Sequence, residues 1–343
     1  MQSILWVGSE GGMEANLVSR QNIPFRAIPA AGLHGVGLLS LPANLIKLTR
    51  GIFASAKILR EFKPDVLLFT GGFVAVPMAI AGRRIPQVLY VPDIEPGLAL
   101  KGLSRFADVI ALTAEDSKKF FAARKNPVVT GYPTRPDLKK IESASARKQF
   151  NLNNDLPVLF IIGGSKGARL INQAISSLLK DLLREFQVIH LTGELDWPDI
   201  QAQFASLPPE IASRYHIFPY LHEEMAVAFS SADVVLSRAG ASTLGELPHY
   251  GLPAILVPYP FAWRYQKVNA DYLAQKGAAV VIENSQLKEA LIPMLHRLIS
   301  DKNLFTSMQK AMSALAWPNA ATRIANLVCD SANQRTAERK VQA

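Results

Sequence analysis

The residues whose types and spacing best suit a chemical role form the segment GGSKG, which begins at Gly163. An apolar run precedes this segment and a helical pattern follows it, so it is predicted to join a buried strand to a helix. Glycines let the backbone approach a ligand closely, and a helix start offers unpaired N–H groups and a positive dipole end. The sequence therefore predicts a loop for a phosphate or diphosphate, made of Gly163, Gly164, Ser165, Lys166 and Gly167. The alternative is a tight turn without a ligand, and neither the dinucleotide nor the P-loop fingerprint is present.

A second strand–turn–helix signal lies in the segment SRAGASTLGE, which begins at Ser237. Small residues open the predicted helix, and Glu246 follows one turn further on. A carboxylate at this place can accept two hydrogen bonds from a ribose diol, as acidic residues do in nucleotide-binding folds. The alternative is that Glu246 only favours the helix dipole. Because both helix starts lie in one half of the chain, one of them could hold a diphosphate and the other a nucleoside.

The first half of the chain carries a further glycine pair, Gly71 and Gly72, directly after the apolar run Val66–Phe69. Ligands of open α/β sheets bind at the carboxyl edge of the strands. The pair is therefore a candidate for a second substrate-facing loop, and a simple packing turn is the alternative.

A basic amphipathic stretch, Leu38 to Asp65, occupies the same half. Its apolar residues, such as Leu45, Ile46 and Phe53, alternate with lysines and arginines. A helix of this kind can rest on an anionic membrane surface. The alternative is a stripe that faces the core and leaves a basic face in water.

The elements that must position these loops are apolar strand-like runs alternating with helical patterns. Most runs lack polar alternation, which suits strands buried on both faces, and the alternation favours parallel sheets built from βα units. The segment Gly131 to Pro157, rich in Pro, Lys, Ser and Asn, interrupts this rhythm. We therefore predict an α/β protein with a first domain over residues 1–137, a second domain over 138–318, and a C-terminal helix over 319–343 that returns to the first domain.

Composition narrows the classes of function. The chain has 343 residues and a formal net charge of +9, which suits phosphate-bearing substrates or an anionic membrane, while aromatic content of 8% without basic clusters disfavours nucleic acid. A single cysteine excludes a disulfide framework and a cysteine metal site. The six histidines lack metal-ligand spacing and are expected to be mostly surface or strand-end residues.

Several motifs resemble those of the MurG glycosyltransferases, and they occur in the same order over nearly the whole chain. They are GGMEANLV, TGGFVAVP, GYPTRPD, GGSKGARLIN, SRAGASTLGE and GLPAILVPYP. The resemblance implies the GT-B fold, with two Rossmann-like, doubly wound parallel-sheet domains facing across a cleft. It also implies inverting transfer of N-acetylglucosamine (GlcNAc) from UDP-GlcNAc to the 4-hydroxyl of N-acetylmuramic acid (MurNAc) in undecaprenyl-diphosphate-MurNAc-pentapeptide, the step from lipid I to lipid II of peptidoglycan synthesis.

The resemblance further implies a peripheral enzyme at the cytoplasmic face of the plasma membrane, without a cofactor or a metal, that can meet other cell-wall synthesis proteins. Gly71 and Gly72 would lie on the acceptor side, and Asp93, in the segment YVPD, is a weak candidate for the general base. The donor-binding residues implied by the family pattern are Arg135, Ser165, Leu221, Ala241, Ser242, Thr243, Leu244, Gly245, Glu246 and Gln266.

One departure from the family pattern concerns the start of the sequence. The family begins with a strand and a GGTGGH-type loop, whereas this chain begins at what resembles the second strand, ILWVG. The absence of a central strand is expected to leave a gap in the first sheet with unpaired backbone groups. A mis-set start, a truncated or diverged non-catalytic nucleotide-sugar binder, and a sugar-nucleotide 2-epimerase are the alternatives to an intact transferase.

Overall fold

The computed structural model describes residues 3–12, 14–32, 41–164, 168–260 and 265–342. Within these ranges the chain divides into two compact units. The first comprises Met1–Pro92, Pro96–Thr130 and Ala321–Ala343, and the second comprises Asp93–Glu95 and Gly131–Ala320. The division after Thr130 puts residues 131–137 with the second unit, whereas the sequence favoured a boundary near residue 138.

The first unit is built from parallel βα repeats. Its elements are β1 (Trp6–Ser9), α1 (Glu14–Ser19), β2 (Phe25–Ile28), α2 (Leu41–Phe62), β3 (Leu67–Phe69), α3 (Ala75–Ala81), β4 (Gln87–Val91), α4 (Leu98–Leu103), β5 (Val109–Leu112) and β6 (Pro127–Val129). Strand β4 is buried along its whole length, as expected for a run of Val, Leu and Tyr in the middle of a covered sheet.

The strands of the first unit form two parallel sheets, one of β1 and β2 and one in the order β3-β4-β5-β6. Both sheets contribute to one apolar cluster, which contains Ile28 of β2 and Leu67 and Phe69 of β3. Among the described residues, no strand pairs with the second edge of β1 or of β3. The two sheets of the first unit are thus separate as far as the described strands show.

The second unit contains one larger sheet covered on both faces by helices. Its elements are α5 (Ser143–Gln149), β7 (Val158–Ile162), α6 (Arg169–Glu185), β8 (Gln187–Leu191), α7 (Trp197–Ala205), α8 (Pro209–Ala212), β9 (Tyr215–Phe218), α9 (Met225–Ser231), β10 (Val234–Ser237), α10 (Thr243–Tyr250), β11 (Ala254–Leu256), α11 (Tyr265–Gln275), β12 (Ala279–Val281), α12 (Leu287–Ser300) and α13 (Lys302–Ala314).

The six strands of this sheet are all parallel and follow the order β12-β11-β10-β7-β8-β9. The chain starts at β7 in the middle, winds outward to β9, and returns to β10 on the other side of β7. This is the doubly wound order, in which the direction of winding reverses between the first and fourth strands. The switch point therefore lies between β7 and β10.

The two ends of the long segment 131–320 meet within the second unit. Gly131 has a positive φ of 85°, and a Cβ at this position would overlap the side chain of Trp317. Only glycine allows both this backbone conformation and this close approach. The last helix, α14 (Ala320–Gln342), begins just beyond Trp317, and its residues from Ala321 on belong to the first unit.

Candidate active site

The two predicted ligand loops of the second unit lie side by side. Strands β7 and β10 are neighbours, and Ile162, the last residue of β7, pairs with Ser237, the last residue of β10. Gly163 and Gly164 therefore leave the sheet beside the turn that leads to α10. Gly164 has a positive φ of 85°, which suits glycine. Ser165, Lys166 and Gly167 lie outside the described residues.

At the start of α10, the groups that a ligand could reach are mainly backbone peptide groups. Thr243 and Leu244 are buried, and the Thr243 hydroxyl donates to the Gly240 carbonyl at 2.6 Å. A Cβ at position 245 would lie 2.7 Å from the Tyr132 ring, so Gly245 packs directly against this ring. Ala241 and Ser242 are half-buried at the turn itself. Most of the predicted donor-binding residues in this stretch can thus offer peptide groups rather than side chains.

Glu246 is the acidic group of this neighbourhood. Burial raises the pKa of its carboxyl group, and a hydrogen bond from Ser242 and the charge of Arg135 oppose this shift. The Arg135 side chain is 42% exposed and lies 3.5 Å from Asp137. Burial also raises the pKa of Tyr132, with smaller contributions from the charges of Glu246 and Asp93. The structure thus brings Arg135 and Glu246, both predicted for the site, within range of each other's charge, and Tyr132 lies close to Glu246.

Asp93 is held in the second unit by Asn269, a fully buried residue of α11. The Asn269 amide donates to Asp93 at 2.8 Å and to the Ala239 carbonyl at 3.1 Å, while its oxygen accepts the Ile94 N–H at 3.0 Å. The Asp93 carboxyl group is therefore fixed beside the turn that follows β10. Burial raises its pKa, against the lowering effect of the Asn269 hydrogen bond.

Arg238 is the functional candidate that sequence reasoning missed. It is 8% exposed, and its Nη1 donates to the carbonyls of Val257 and Pro258 and to Asn284, at 2.9, 3.3 and 2.8 Å. Its guanidinium carbon lies 5.5 Å from the centre of the Tyr259 ring. No carboxylate of the described residues forms an ion pair with it, and burial lowers its pKa. A guanidinium stays charged, so this buried cation suits an anion.

Two further predicted residues flank this region. Gln266, at the start of α11, accepts the Tyr259 N–H at 2.9 Å and so holds the turn that also contacts Arg238. Leu221 is buried just after β9, at the same edge of the sheet as the two loops but two strands away from β7.

The predicted acceptor-side glycines belong to the first unit. Gly71 and Gly72 follow β3 with positive φ angles of 121° and 82°. Because side-chain-bearing residues rarely adopt these angles, the turn after β3 requires glycine. Across the stretches that the structure covers, no group of three or more potential metal ligands occurs.

Comparison of the chain with known proteins agrees with the arrangement of this site. Residues 158–324 match the glycosyltransferase family 28 C-terminal domain, and residues 2–112 match the glycosyltransferase family 28 N-terminal domain. The chain is 39% identical to the UDP-N-acetylglucosamine--N-acetylmuramyl-(pentapeptide) pyrophosphoryl-undecaprenol N-acetylglucosamine transferase of Roseiflexus sp. (strain RS-1), over 95% of this chain and 83% of that protein. The chain belongs to the MurG family of glycosyltransferases.

Solved structures agree with MurG membership and with the GT-B fold. The crystal structure of Acinetobacter baumannii MurG superposes with a TM-score of 0.75 at 28% identity, covering 96% of this chain and 91% of that one. The UDP-GlcNAc 2-epimerase of Neisseria meningitidis, solved with UDP-GlcNAc, has a TM-score of 0.65 at 15% identity and covers 96% and 91%. At that identity the likeness to the epimerase concerns the fold alone.

Proposed function

We propose that this protein transfers GlcNAc from UDP-GlcNAc to the 4-hydroxyl of MurNAc in undecaprenyl-diphosphate-MurNAc-pentapeptide, with inversion at the anomeric carbon. The observation that carries the proposal is the adjacency of two ligand loops at the switch point of the second sheet, with the acidic Glu246 beside them. Ligands of doubly wound sheets bind at this place. The name of the Roseiflexus relative supplies the sugars and the lipid carrier.

The second unit binds the donor in this proposal. Glu246 accepts hydrogen bonds from the ribose diol, and Arg135 keeps a positive charge beside it. The peptide N–H groups around Ala241 to Gly245 and at the loop Gly163 to Gly167 take the sugar and the diphosphate, together with the side chains of Ser165, Lys166 and Gln266. Leu221 contributes an apolar contact for the base. The support is positional, because Gly163, Leu221, the start of α10 and Gln266 follow strands β7, β9, β10 and β11 at the carboxyl edge of one parallel sheet, and the charge of Arg135 acts on Glu246.

Departure of the nucleoside diphosphate requires stabilisation of negative charge. Arg238 is suited to this task, because it directly follows the residue of β10 that pairs with the end of β7, and its charge lacks a carboxylate partner among the described residues. Three carbonyl-type oxygens hold it in place. A cation fixed in advance lowers the barrier without reorganisation during the reaction.

Asp93 is the proposed general base for the 4-hydroxyl. Its pKa is raised by burial, which makes the carboxylate a stronger base than an exposed aspartate. Asn269 holds it by a hydrogen bond, so its orientation is fixed. In the transfer step, the hydroxyl oxygen attacks the anomeric carbon, its proton passes to Asp93, and the bond to the diphosphate breaks.

The first unit is proposed to receive the lipid-linked acceptor at an anionic membrane surface, with the Gly71–Gly72 turn on the acceptor side. Helix α2 supports this role, because it exposes apolar side chains that a core-facing stripe would bury. Ile46 is 61% exposed and Phe53 is 72% exposed, and the exposed Arg50 and Lys57 lie between and beside them. In the described part of the chain, no helix is long and apolar enough to cross a bilayer.

The test is a UDP-release assay with a lipid-linked MurNAc-pentapeptide acceptor and UDP-GlcNAc. Glu246→Gln removes the charge and keeps the shape, so it should raise the KM for UDP-GlcNAc by about 10- to 100-fold, the value of one or two charge-assisted hydrogen bonds. Glu289→Gln, an exposed glutamate of α12, is the matched control and should leave KM unchanged. Asp93→Asn should lower kcat and leave the affinity for UDP intact. Release of UDP that does not depend on the acceptor, or an unchanged KM for Glu246→Gln, would contradict the proposal.

A further inference from the structure

A chain of buried polar side chains runs through the apolar core beside the β7 loop. It links Tyr215 of β9, His190 of β8, Asn172 of α6 and Asp196 of the turn after β8. The Tyr215 hydroxyl and His190 Nδ1 are 2.8 Å apart, and His190 Nε2 and Asn172 Oδ1 are 2.9 Å apart. Tyr215, His190 and Asn172 are each at most 2% exposed. Polar groups buried to this degree are tolerated only when they are bonded, and here each has its partner.

The partners determine every hydrogen in this network. The Asn172 amide nitrogen donates to the Thr192 carbonyl at 2.8 Å and to the Asp196 carboxylate at 2.7 Å. Both partners only accept, so the amide cannot be turned around. Its oxygen then faces His190 Nε2, which must carry the proton, and Nδ1 accepts from the Tyr215 hydroxyl. His190 is therefore a neutral imidazole of one defined tautomer.

The network ends at the helix that follows the proposed diphosphate loop. Asn172 lies in the first turn of α6, where its own N–H bonds the Ala168 carbonyl at 2.9 Å. Its side chain ties this turn to Thr192 and Asp196, both in the segment that leaves β8. The peptide N–H groups ahead of Asn172 are those that a helix start leaves without intrahelical partners. A rotation of this turn would move them away from a bound diphosphate.

We propose that His190 is a positioning residue for nucleotide binding: through Asn172 it fixes the first turn of α6, whose free N–H groups are proposed to receive the diphosphate of the donor. The inference rests on the proposed function. It gives a role to a histidine, an asparagine and a tyrosine that are buried and bonded to one another in a largely apolar core. A satisfied polar network imposes a single geometry on the elements that it joins.

The test compares the binding of UDP and of uridine by calorimetry in the full-length protein. His190→Leu removes both hydrogen bonds and keeps much of the volume. It is expected to weaken UDP binding at least tenfold and uridine binding by less than twofold, because only UDP uses the diphosphate loop. His190→Gln keeps a donor and an acceptor and is expected to restore most of the UDP affinity. Ile189→Ala, a buried neighbour on the same strand, loosens the core outside the network and is expected to leave the UDP-to-uridine ratio unchanged.

The inference is overturned if folded His190→Leu binds UDP within twofold of the parent, or if Ile189→Ala reduces the UDP-to-uridine ratio equally. Should His190→Leu fail to fold, Tyr215→Phe decides the question, since it deletes one hydroxyl and keeps the ring. A threefold or greater loss for UDP alone supports the inference, and no loss refutes it. A parent protein that binds no uridine nucleotide would instead refute the proposed function.

Discussion

Acidification is expected to destabilise the second unit through His190. Complete burial lowers the pKa of this imidazole from 6.5 to about 3 in the folded protein. The unfolded chain keeps the ordinary value, so between these two values it binds one proton more than the folded chain does. The free energy of unfolding therefore falls as the pH falls, by about 1.4 kcal/mol per pH unit once the unfolded histidine is fully protonated. Between pH values of about 6.5 and about 4.5 the contribution lost is about 2 kcal/mol.

The assay is urea unfolding at a series of pH values, followed by hydrogen exchange in peptides from β8 and β9. These peptides report the second unit separately, which matters because two units need not unfold together. His190→Gln has no imidazole to protonate, so its stability should depend less steeply on pH. His296→Gln, at an exposed histidine that contacts Glu185, is the control and should retain the parent slope. Parallel curves for the parent and His190→Gln, or an imidazole signal of His190 that titrates between pH values of about 5 and 8 in the folded protein, would refute the reasoning.

Three further predictions concern Arg238, Gly245 and Phe53. In calorimetry, Arg238→Gln should weaken UDP binding by about 10- to 100-fold and change uridine binding little, and Arg238→Lys should recover part of the UDP affinity. Equal losses of affinity for UDP and for uridine would show that Arg238 has a structural role only. In urea denaturation, Gly245→Ala should lower the free energy of unfolding by about 1–3 kcal/mol, because the new Cβ would lie 2.7 Å from the Tyr132 ring. An unchanged urea midpoint would contradict that packing. In vesicle sedimentation, Phe53→Ser should reduce binding to vesicles that contain anionic phospholipid by about tenfold or more, and neither form should bind neutral vesicles. Equal binding of the two forms to anionic vesicles would refute the role of α2.

Local pattern was sufficient to predict the elements that carry the site. The apolar run before Gly163 forms β7 (Val158–Ile162), and the amphipathic stretch Leu38 to Asp65 contains α2 (Leu41–Phe62). Both succeed because burial on two faces, or on one helical face, leaves a periodic signal in the sequence. The resemblance to the MurG family predicted the GT-B fold and the reaction, and similarity to known proteins confirmed that resemblance. Hydrophobic periodicity alone does not specify a reaction.

Tertiary partners could not be predicted in this way. Arg238 stands in a motif that the sequence did single out, but its lack of a carboxylate partner among the described residues becomes visible only when β10, β11 and Asn284 meet. The six histidines were expected to be mostly strand-end or surface residues, and nothing in the sequence marked His190 as the completely buried one. Its partners Asn172 and Tyr215 come from a different helix and a different strand. No spacing rule relates these three residues, because the pairing of β8 with β9 brings Tyr215 to His190 and the packing of α6 on the sheet brings Asn172 to it.

The contact between Gly131 and Trp317 gives the segment 131–320 the geometry of an inserted module. The polypeptide enters and leaves this segment at nearly the same point, so the whole of it could be spliced into a surface turn of an unrelated host with short joints. By the same geometry, joining residue 320 to residue 131 and opening the chain at a surface loop would give a circular permutant that keeps the six-stranded sheet and lacks the contacts of Asp93 and Ile94 with Asn269. Such rearrangements depend on the close packing of Gly131 against the side chain of Trp317.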